Sequence, residues 1–157
     1  MDSEPYKMIL GINASRARSG GAIAHLLGIL NEGDPSQYGF CEVHVWIPPE
    51  LLEELPSKPW LVKHCPNALK GSIFRQILWE RFSLPNELEK VDCSILLNIS
   101  ACTVSRFRPT VTMSRDMLSY EPGEMERFGF SKARFRYILL RYIQNRSLRF
   151  SDGVIFL

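Results

Sequence analysis

Short apolar runs and longer segments with helical spacing alternate along this chain. The apolar runs predict six strands, at residues 7–13, 40–47, 60–65, 93–99, 109–113 and 153–157. Helical spacing, with proline and glycine as start and stop signals, predicts helices at residues 20–31, 71–82, 84–90, 122–128 and 132–150. Such alternation requires right-handed crossovers, so we predict an α/β fold with a Rossmann-like, mostly parallel sheet and helices on both faces. It forms a single domain over residues 1–157.

Two of the predicted helices carry apolar stripes. In the helix at 71–82, the side predicted to be buried consists of Ile73, Phe74, Ile77, Leu78 and Arg81. In the helix at 132–150, the apolar positions at helical spacing are Phe135, Ile138, Leu139, Tyr142 and Ile143. Stripes of this kind ordinarily pack against a sheet.

Composition narrows the class of protein. Of the 157 residues, 45% are hydrophobic and 23% are charged, as in ordinary soluble globular proteins. Residues 1–7 contain no apolar leader, and no apolar run approaches the roughly 20 residues that span a bilayer, so we expect a cytoplasmic protein. Four cysteines without metal-ligand spacing are predicted to be small buried hydrophobes in a reducing compartment: Cys41, Cys65, Cys93 and Cys102.

The last predicted strand ends the sequence. A parallel strand normally needs a following element to cover it, so we expect a polypeptide cut off before a second domain. The alternative is a short natural domain whose last strand closes the sheet.

Charge is unevenly placed along the chain. Residues 1–99 have a net charge of −3 and residues 100–157 one of +5, which favours an anionic partner for the second part. The helix at 132–150 has six basic residues and no acidic one: Lys132, Arg134, Arg136, Arg141, Arg146 and Arg149. Two interpretations stay open, since the helix either rests on the anionic inner surface of a membrane or packs on the sheet with solvated arginines.

Candidate chemistry lies where the predicted strands end, because ligands bind at the carboxyl ends of parallel strands, near the point where strand order reverses. The first strand leads into Ser15, Arg16, Ser19, Gly20 and Gly21, with Ser19 as the predicted helix cap. Two glycines at a helix start let backbone N–H groups approach a phosphate, and Arg16 adds positive charge. The spacing fits neither a GxGxxG fingerprint nor a Walker A loop, and a tight turn for close packing is the alternative.

Two further segments follow predicted strands. Asn98 and Ser100, at the end of the strand at 93–99, are predicted to line the same cleft or else to cap the strand ends. Arg115 and Asp116 follow the strand at 109–113. An arginine there can stabilise a leaving or transferred anion and a carboxylate can orient it, with a structural ion pair as the alternative. The three histidines are predicted to be packed or surface side chains rather than catalysts.

Three stretches, taken in order, resemble group 1 (family 4-like) glycosyltransferases of the GT-B fold. They are ILGINASRARSGGAIAHL at 9–26, PTVTMSRDMLSYEP at 109–122 and RFRYILLRYIQNRSLRFSDGVIFL at 134–157. The order and spacing of the three match across essentially the whole chain. Arg115 stands where the commoner family pattern has a histidine, and the chain has no Glu-x7-Glu motif of the donor-binding domain.

The resemblance implies the N-terminal, acceptor-side half of a two-domain enzyme. Such an enzyme moves a hexose from a nucleotide-sugar to a glycan or lipid-linked acceptor, usually with retention and without a metal or a cofactor. Gly20 and Gly21 are then expected to contact the donor diphosphate, and Arg115 and Asp116 to occupy the catalytic loop. We expect the chain of 157 residues to be inactive by itself. The alternative is a non-catalytic, Rossmann-like phosphate-binding or nucleotide-binding module.

Overall fold

The computed structural model describes residues 7–18, 20–114 and 132–157. Six strands form one sheet: β1 (Met8–Asn13), β2 (Phe40–Trp46), β3 (Leu61–His64), β4 (Ile95–Asn98), β5 (Thr110–Ser114) and β6 (Gly153–Phe156). Their order is β3-β2-β1-β4-β5-β6, and each neighbouring pair is parallel. This is the strand order of Rossmann-like domains, so the predicted α/β class and parallel sheet are confirmed.

Helices connect the strands at positions close to those predicted. They are α1 (Gly21–Glu32), α2 (Ile73–Leu78), α3 (Leu84–Lys90) and α4 (Lys132–Phe150). A π-helical turn at Trp79–Ser83 joins α2 to α3, which splits the helix predicted at 71–82. The helix predicted at 122–128 lies outside the described residues. None of the helices in the described part of the chain is long and apolar enough to cross a bilayer.

The two faces of the sheet carry separate cores. On the face covered by α1, here called the α1 face, Ile12, Val43 and Val45 pack with Leu26 and Leu30 of the helix. On the opposite face, here called the α2 face, a second core comprises Trp46, Leu69, Trp79, Leu84, Leu88, Leu96 and Phe107. Alternation along each strand divides the residues, because successive side chains point to opposite faces.

Gly11 lies where β1 passes closest to α3. A Cβ atom at Gly11 would lie 2.7 Å from Leu88 Cδ2 and 2.8 Å from Cys93 Sγ. We therefore expect Gly11→Ala to lower the free energy of unfolding by about 1–3 kcal/mol, because those two side chains must shift within a packed core. Urea unfolding followed by circular dichroism measures the change.

The control for this prediction is Gly28→Ala on α1. A Cβ atom there meets nothing within 4 Å, so alanine should raise stability by about 0.5–1 kcal/mol through its helix propensity. An unfolding midpoint for Gly11→Ala equal to that of the unchanged protein would contradict the close approach of β1 and α3.

The prediction for the buried side of the helix at 71–82 is wrong. Ile73, Phe74 and Leu78 are exposed, whereas Gln76, Trp79 and Glu80 are buried, and Ile77 and Arg81 are half-buried. The physical reason lies in the sheet, since β1 presents the polar Asn13 on this face. The helix turns Glu80 toward that amide, and its apolar stripe is left on the outside.

The expected packing of the apolar stripe on α4 is also contradicted. Phe135, Ile138, Leu139 and Tyr142 are exposed and Ile143 is half-buried, while Gln144 and Ser147 are buried. Polar groups join the end of α4 to β5, because the Ser151 hydroxyl lies 2.6 Å from the Thr112 hydroxyl and 2.9 Å from the Ser147 carbonyl oxygen.

The predicted burial of the cysteines holds only in part. Cys41 is exposed, and Cys65, Cys93 and Cys102 are half-buried free thiols. Burial raises the pKa of Cys93 to about 11, and weaker backbone hydrogen bonds at Ile95 and Gly11 act in the other direction. Cys93 is therefore an inert packed thiol, as predicted for the group.

Candidate functional site

The strand order reverses between β1 and β4, and the tips of these two strands define the candidate site. Asn13 and Asn98 are the last residues of the two strands and are register partners. From Asn13 the chain turns toward α1 on one face, whereas the connection that follows Asn98 reaches the α2 face, where Phe107 joins the core. In open parallel sheets this divergence leaves the crevice in which ligands bind.

A buried hydrogen-bond network centres on the Asn13 side chain. Its amide nitrogen donates to Glu80 Oε1 at 2.8 Å and to Asn98 Oδ1 at 3.0 Å. Its amide oxygen accepts from the Ser15 hydroxyl at 2.7 Å. Three elements distant in sequence are therefore joined at one amide.

Glu80 supplies the negative charge of the network and is only 1% exposed. Arg16 Nη2 donates to Glu80 Oε2 at 2.8 Å, and the Thr103 hydroxyl donates to Glu80 Oε1 at 2.7 Å. A buried carboxylate needs such partners, because a charge taken out of water without compensation is costly. Arg16 Nε is itself buried and has no acceptor among the described residues.

The network continues across the sheet to β5 and the end of α4. Asn98 Nδ2 donates to the Thr110 hydroxyl at 2.9 Å. The hydroxyl groups of Thr112 and Ser151 are hydrogen-bonded at 2.6 Å. Buried polar groups are thus satisfied along the strand tips, which fixes the position of each element relative to the others.

The structure brings together three of the predicted binding residues. Ser15, Arg16 and Asn98 all belong to the network, and each is bonded to other protein groups. Ser100 stands apart, because its hydroxyl accepts from the backbone N–H of Cys102 within its own turn. Ser19, Arg115 and Asp116 lie outside the described residues, so their predicted roles stay predictions.

The start of α1 follows Ser15 and Arg16 of the network along the chain and presents the backbone N–H groups of a helix N-terminus. Gly20 occupies the cap position with φ 56° and gives no side-chain hydrogen bond to the helix. A side chain at that φ is strained, and a Cβ atom there would meet nothing within 4 Å, so the space before the helix is open. The N–H groups of the first turn, beginning at Gly21, are the unpaired donors of a helix start and carry its positive dipole end.

Comparisons with protein-family models, curated proteins and solved structures found no significant match to this chain. Across residues 7–18, 20–114 and 132–157, no group of three or more His, Cys, Asp or Glu side chains is arranged to hold a metal ion.

Sequence reasoning missed several members of the network, among them Asn13, Glu80 and Thr103. Glu80 lies between Trp79 and Arg81 in a predicted helix and has the appearance of a solvated charge in the sequence. Thr103 follows the strand by five residues in a segment without periodicity. The sequence contained a weak signal. Asn13 and Asn98 each end a buried strand, and a buried amide requires hydrogen-bond partners from other segments of the chain.

A second cluster of aromatic and imidazole rings lies at the ends of β2 and β3. The His64 ring stacks on Trp46 at a centroid distance of 4.6 Å, and His44 Nδ1 lies 2.9 Å from His64 Nε2. His44 Nε2 is 3.1 Å from the Glu42 carboxylate, which only accepts. The predicted packing of these two histidines is confirmed, and His44 is 6% exposed.

We expect the His64 cluster to make stability depend on pH. Burial lowers the pKa of His64 from 6.5, the positive charge of His44 adds to this, and Glu87 opposes it. The unfolded chain therefore binds a proton at higher pH than the folded one. Stability should be constant above about pH 7 and fall as the pH drops below about 6.5, as urea unfolding at pH 5 to 8 will show.

A histidine variant isolates this effect from general acid destabilisation. His64→Gln should flatten the profile between pH 5 and 7, whereas His25→Gln, at an exposed position of α1, should leave it unchanged. Equal profiles for His64→Gln and the unchanged protein would refute the assignment to His64.

Proposed function

We propose that this chain is the acceptor-side, N-terminal domain of a glycosyltransferase of the GT-B type. The observation that carries the proposal is the connection from β1, the strand at which the order reverses, to the Gly20–Gly21 start of α1. The resemblance of residues 9–26, 109–122 and 134–157 to that family supports it independently. Fold alone does not specify activity, so the proposal depends on what the helix start binds.

The helix start suits the charge that develops in glycosyl transfer. The bond from the sugar to the diphosphate breaks in an oxocarbenium-like transition state, and the leaving diphosphate gathers negative charge. Free N–H groups of the first turn and the helix dipole are already oriented toward such an anion, so they stabilise it without reorganising. In this proposal Gly20 keeps the approach clear, because a larger residue would be strained at its positive φ.

The network behind the helix start has a supporting part in the proposal. Arg16 is neutralised by Glu80 and holds the loop between β1 and α1, and Ser15 is fixed by Asn13. A fixed loop keeps the backbone donors in place for the anion. Arg115 and Asp116 remain the candidates for the groups that act at the sugar.

The helix start is tested with inorganic pyrophosphate, a minimal probe for the diphosphate, followed by amide NMR shifts. We expect the largest shifts at residues 20–23. Gly21→Pro removes one N–H donor at a position where proline is well tolerated in helices, and should weaken binding about tenfold or more. Gly28→Ala, in the middle of α1, should not change the affinity.

Catalysis is tested by incubating nucleotide-sugars and acceptors with the chain of 157 residues and with the polypeptide from its complete gene. We expect sugar transfer only from the second. Turnover by the chain of 157 residues alone would refute its assignment as one half of an active site.

A non-catalytic, phosphate-binding module is the second candidate function. It is favoured by the hydrogen bonds that tie Ser15 and Asn98 to Asn13, and Arg16 to Glu80, because side chains held by other protein groups are less available to act on a substrate. Pyrophosphate binding at the helix start, without turnover by the complete polypeptide, would support this candidate.

A further inference from the structure

A groove on the α2 face lies beside the candidate site and shares Thr103 with its hydrogen-bond network. It has a volume of about 710 Å³ and runs between α2 and the second half of α4, with residues 103–106 as its floor. Apolar side chains from both helices line it, namely Ile77, Leu78, Ile143 and Phe150. Such a surface favours the apolar part of a ligand.

Four arginines also line this groove. Arg81 comes from the turn after α2, Arg106 from the floor, and Arg146 and Arg149 from α4. Within the described part of the chain, none of the four forms an ion pair with a carboxylate. Burial lowers the pKa of Arg81, and the nearby charges of Arg106 and Arg146 lower it further. Like charges so close together repel one another, and a bound anion would relieve that repulsion.

Ser147 provides a second, independent indication of a ligand. It lies on the wall of the groove between Arg146 and Arg149, is 5% exposed, and its hydroxyl finds no hydrogen-bond partner among the described residues. Serine hydroxyls in helices ordinarily bond to the carbonyl one turn earlier, and buried hydroxyls are rarely left unpaired. The hydroxyl is therefore available to donate to a ligand oxygen.

We propose that this groove binds an organic phosphate with an apolar substituent. Arg81, Arg106 and Arg146 hold the phosphate, Ser147 donates a hydrogen bond to it, and the apolar walls of α2 and α4 contact the substituent. Guanidinium groups suit phosphate, because their planar donors match its oxygens in pairs. The proposal is independent of the glycosyltransferase assignment, since no residue of the α1 start takes part.

The test uses titration calorimetry with three probes: inorganic phosphate, octyl phosphate below its micelle concentration, and the uncharged octyl glucoside. We expect octyl phosphate to bind about tenfold or more tightly than either of the others, because it alone engages both parts of the groove. Arg106→Gln and Arg146→Gln should each weaken octyl phosphate about tenfold, and Ser147→Ala about threefold. Arg136→Gln, an exposed arginine of α4 outside the lining of the groove, should have no effect.

Further experiments distinguish binding in the groove from binding at the α1 start and from binding to a membrane surface. Gly21→Pro should leave octyl phosphate binding intact, so failure of the α1 site and failure of the groove are distinguishable. Vesicles with anionic phospholipid test a membrane surface as the source of the phosphate. If only vesicles bind, and Arg136→Gln weakens them as much as Arg146→Gln, α4 contacts a membrane through its general charge and the groove proposal is wrong. Absence of octyl phosphate binding to the folded protein would also overturn it.

Discussion

Replacing Glu80 with alanine is expected to lower the free energy of unfolding by about 3–5 kcal/mol. The carboxylate is fully buried and accepts hydrogen bonds from Asn13, Arg16 and Thr103. Its removal leaves the Arg16 guanidinium, 19% exposed, without its counter-charge and leaves two further donors unpaired. Guanidinium chloride unfolding, followed by tryptophan fluorescence, measures the loss.

A double substitution distinguishes the uncompensated charge from a loss of packing. Arg16→Met combined with Glu80→Leu removes both charges, and buried ion pairs replaced by apolar residues often cost little. We expect the double variant to be more stable than Glu80→Ala alone. If Glu80→Ala lowers stability by less than about 1 kcal/mol, the role of the network in joining β1, α2 and the segment after β4 is disproved.

The sequence was sufficient for the architecture, because strands and helices are set by local patterns. Apolar runs of the right length located the six strands, and alternation of strands with helices implied the parallel sheet. The start of α1 was predicted one residue too early, because the helix begins at Gly21 and its cap is Gly20 rather than the predicted Ser19.

The orientation of the helices was not predictable from the same patterns. For α2 the apolar stripe predicted the wrong side to be buried. The sheet beneath the helix presents Asn13, and Glu80 in the turn that follows α2 points inward to accept from the Asn13 amide. For α4 the apolar stripe is exposed as well, and the polar residues Gln144 and Ser147 are buried near the end of the helix. The hydrophobic pattern of a helix shows how apolar each side of the helix is. The elements that pack against the helix decide which side is buried.

The groove on the α2 face was missed for a related reason. Arg81 lies in one predicted helix, Arg106 in a segment without periodicity, and Arg146 in another helix, so no local motif joins them. The sequence did single out the basic character of the helix at 132–150. Arg81 and Arg106 join the arginines of this helix only in the folded structure, where α2 and the segment after β4 lie beside it.

Removal of the Glu87 side chain should have the second largest effect on stability, about 2–4 kcal/mol for Glu87→Ala. Two indole N–H groups share this carboxylate, Trp46 at 2.7 Å to Oε2 and Trp79 at 2.8 Å to Oε1. Trp46 is 0% exposed and Trp79 is 6% exposed, so water cannot easily replace the lost acceptor. Each unpaired buried donor costs about 1–3 kcal/mol, and we expect the loss for the two together in the lower part of the summed range.

Glutamine at position 87 should give an intermediate result that reveals how the carboxylate acts. Glu87→Gln keeps one oxygen as acceptor but directs an NH₂ group at the second indole, so it should lose about half as much stability as Glu87→Ala. Glu89→Ala, at an exposed position of the same helix, should change stability by less than about 0.5 kcal/mol. Equal losses for the glutamine and alanine variants would mean that Glu87 acts through its charge rather than through two separate oxygens. The Glu87 carboxylate would then no longer be assigned as the shared acceptor that joins β2 to the helical segment of the α2 face.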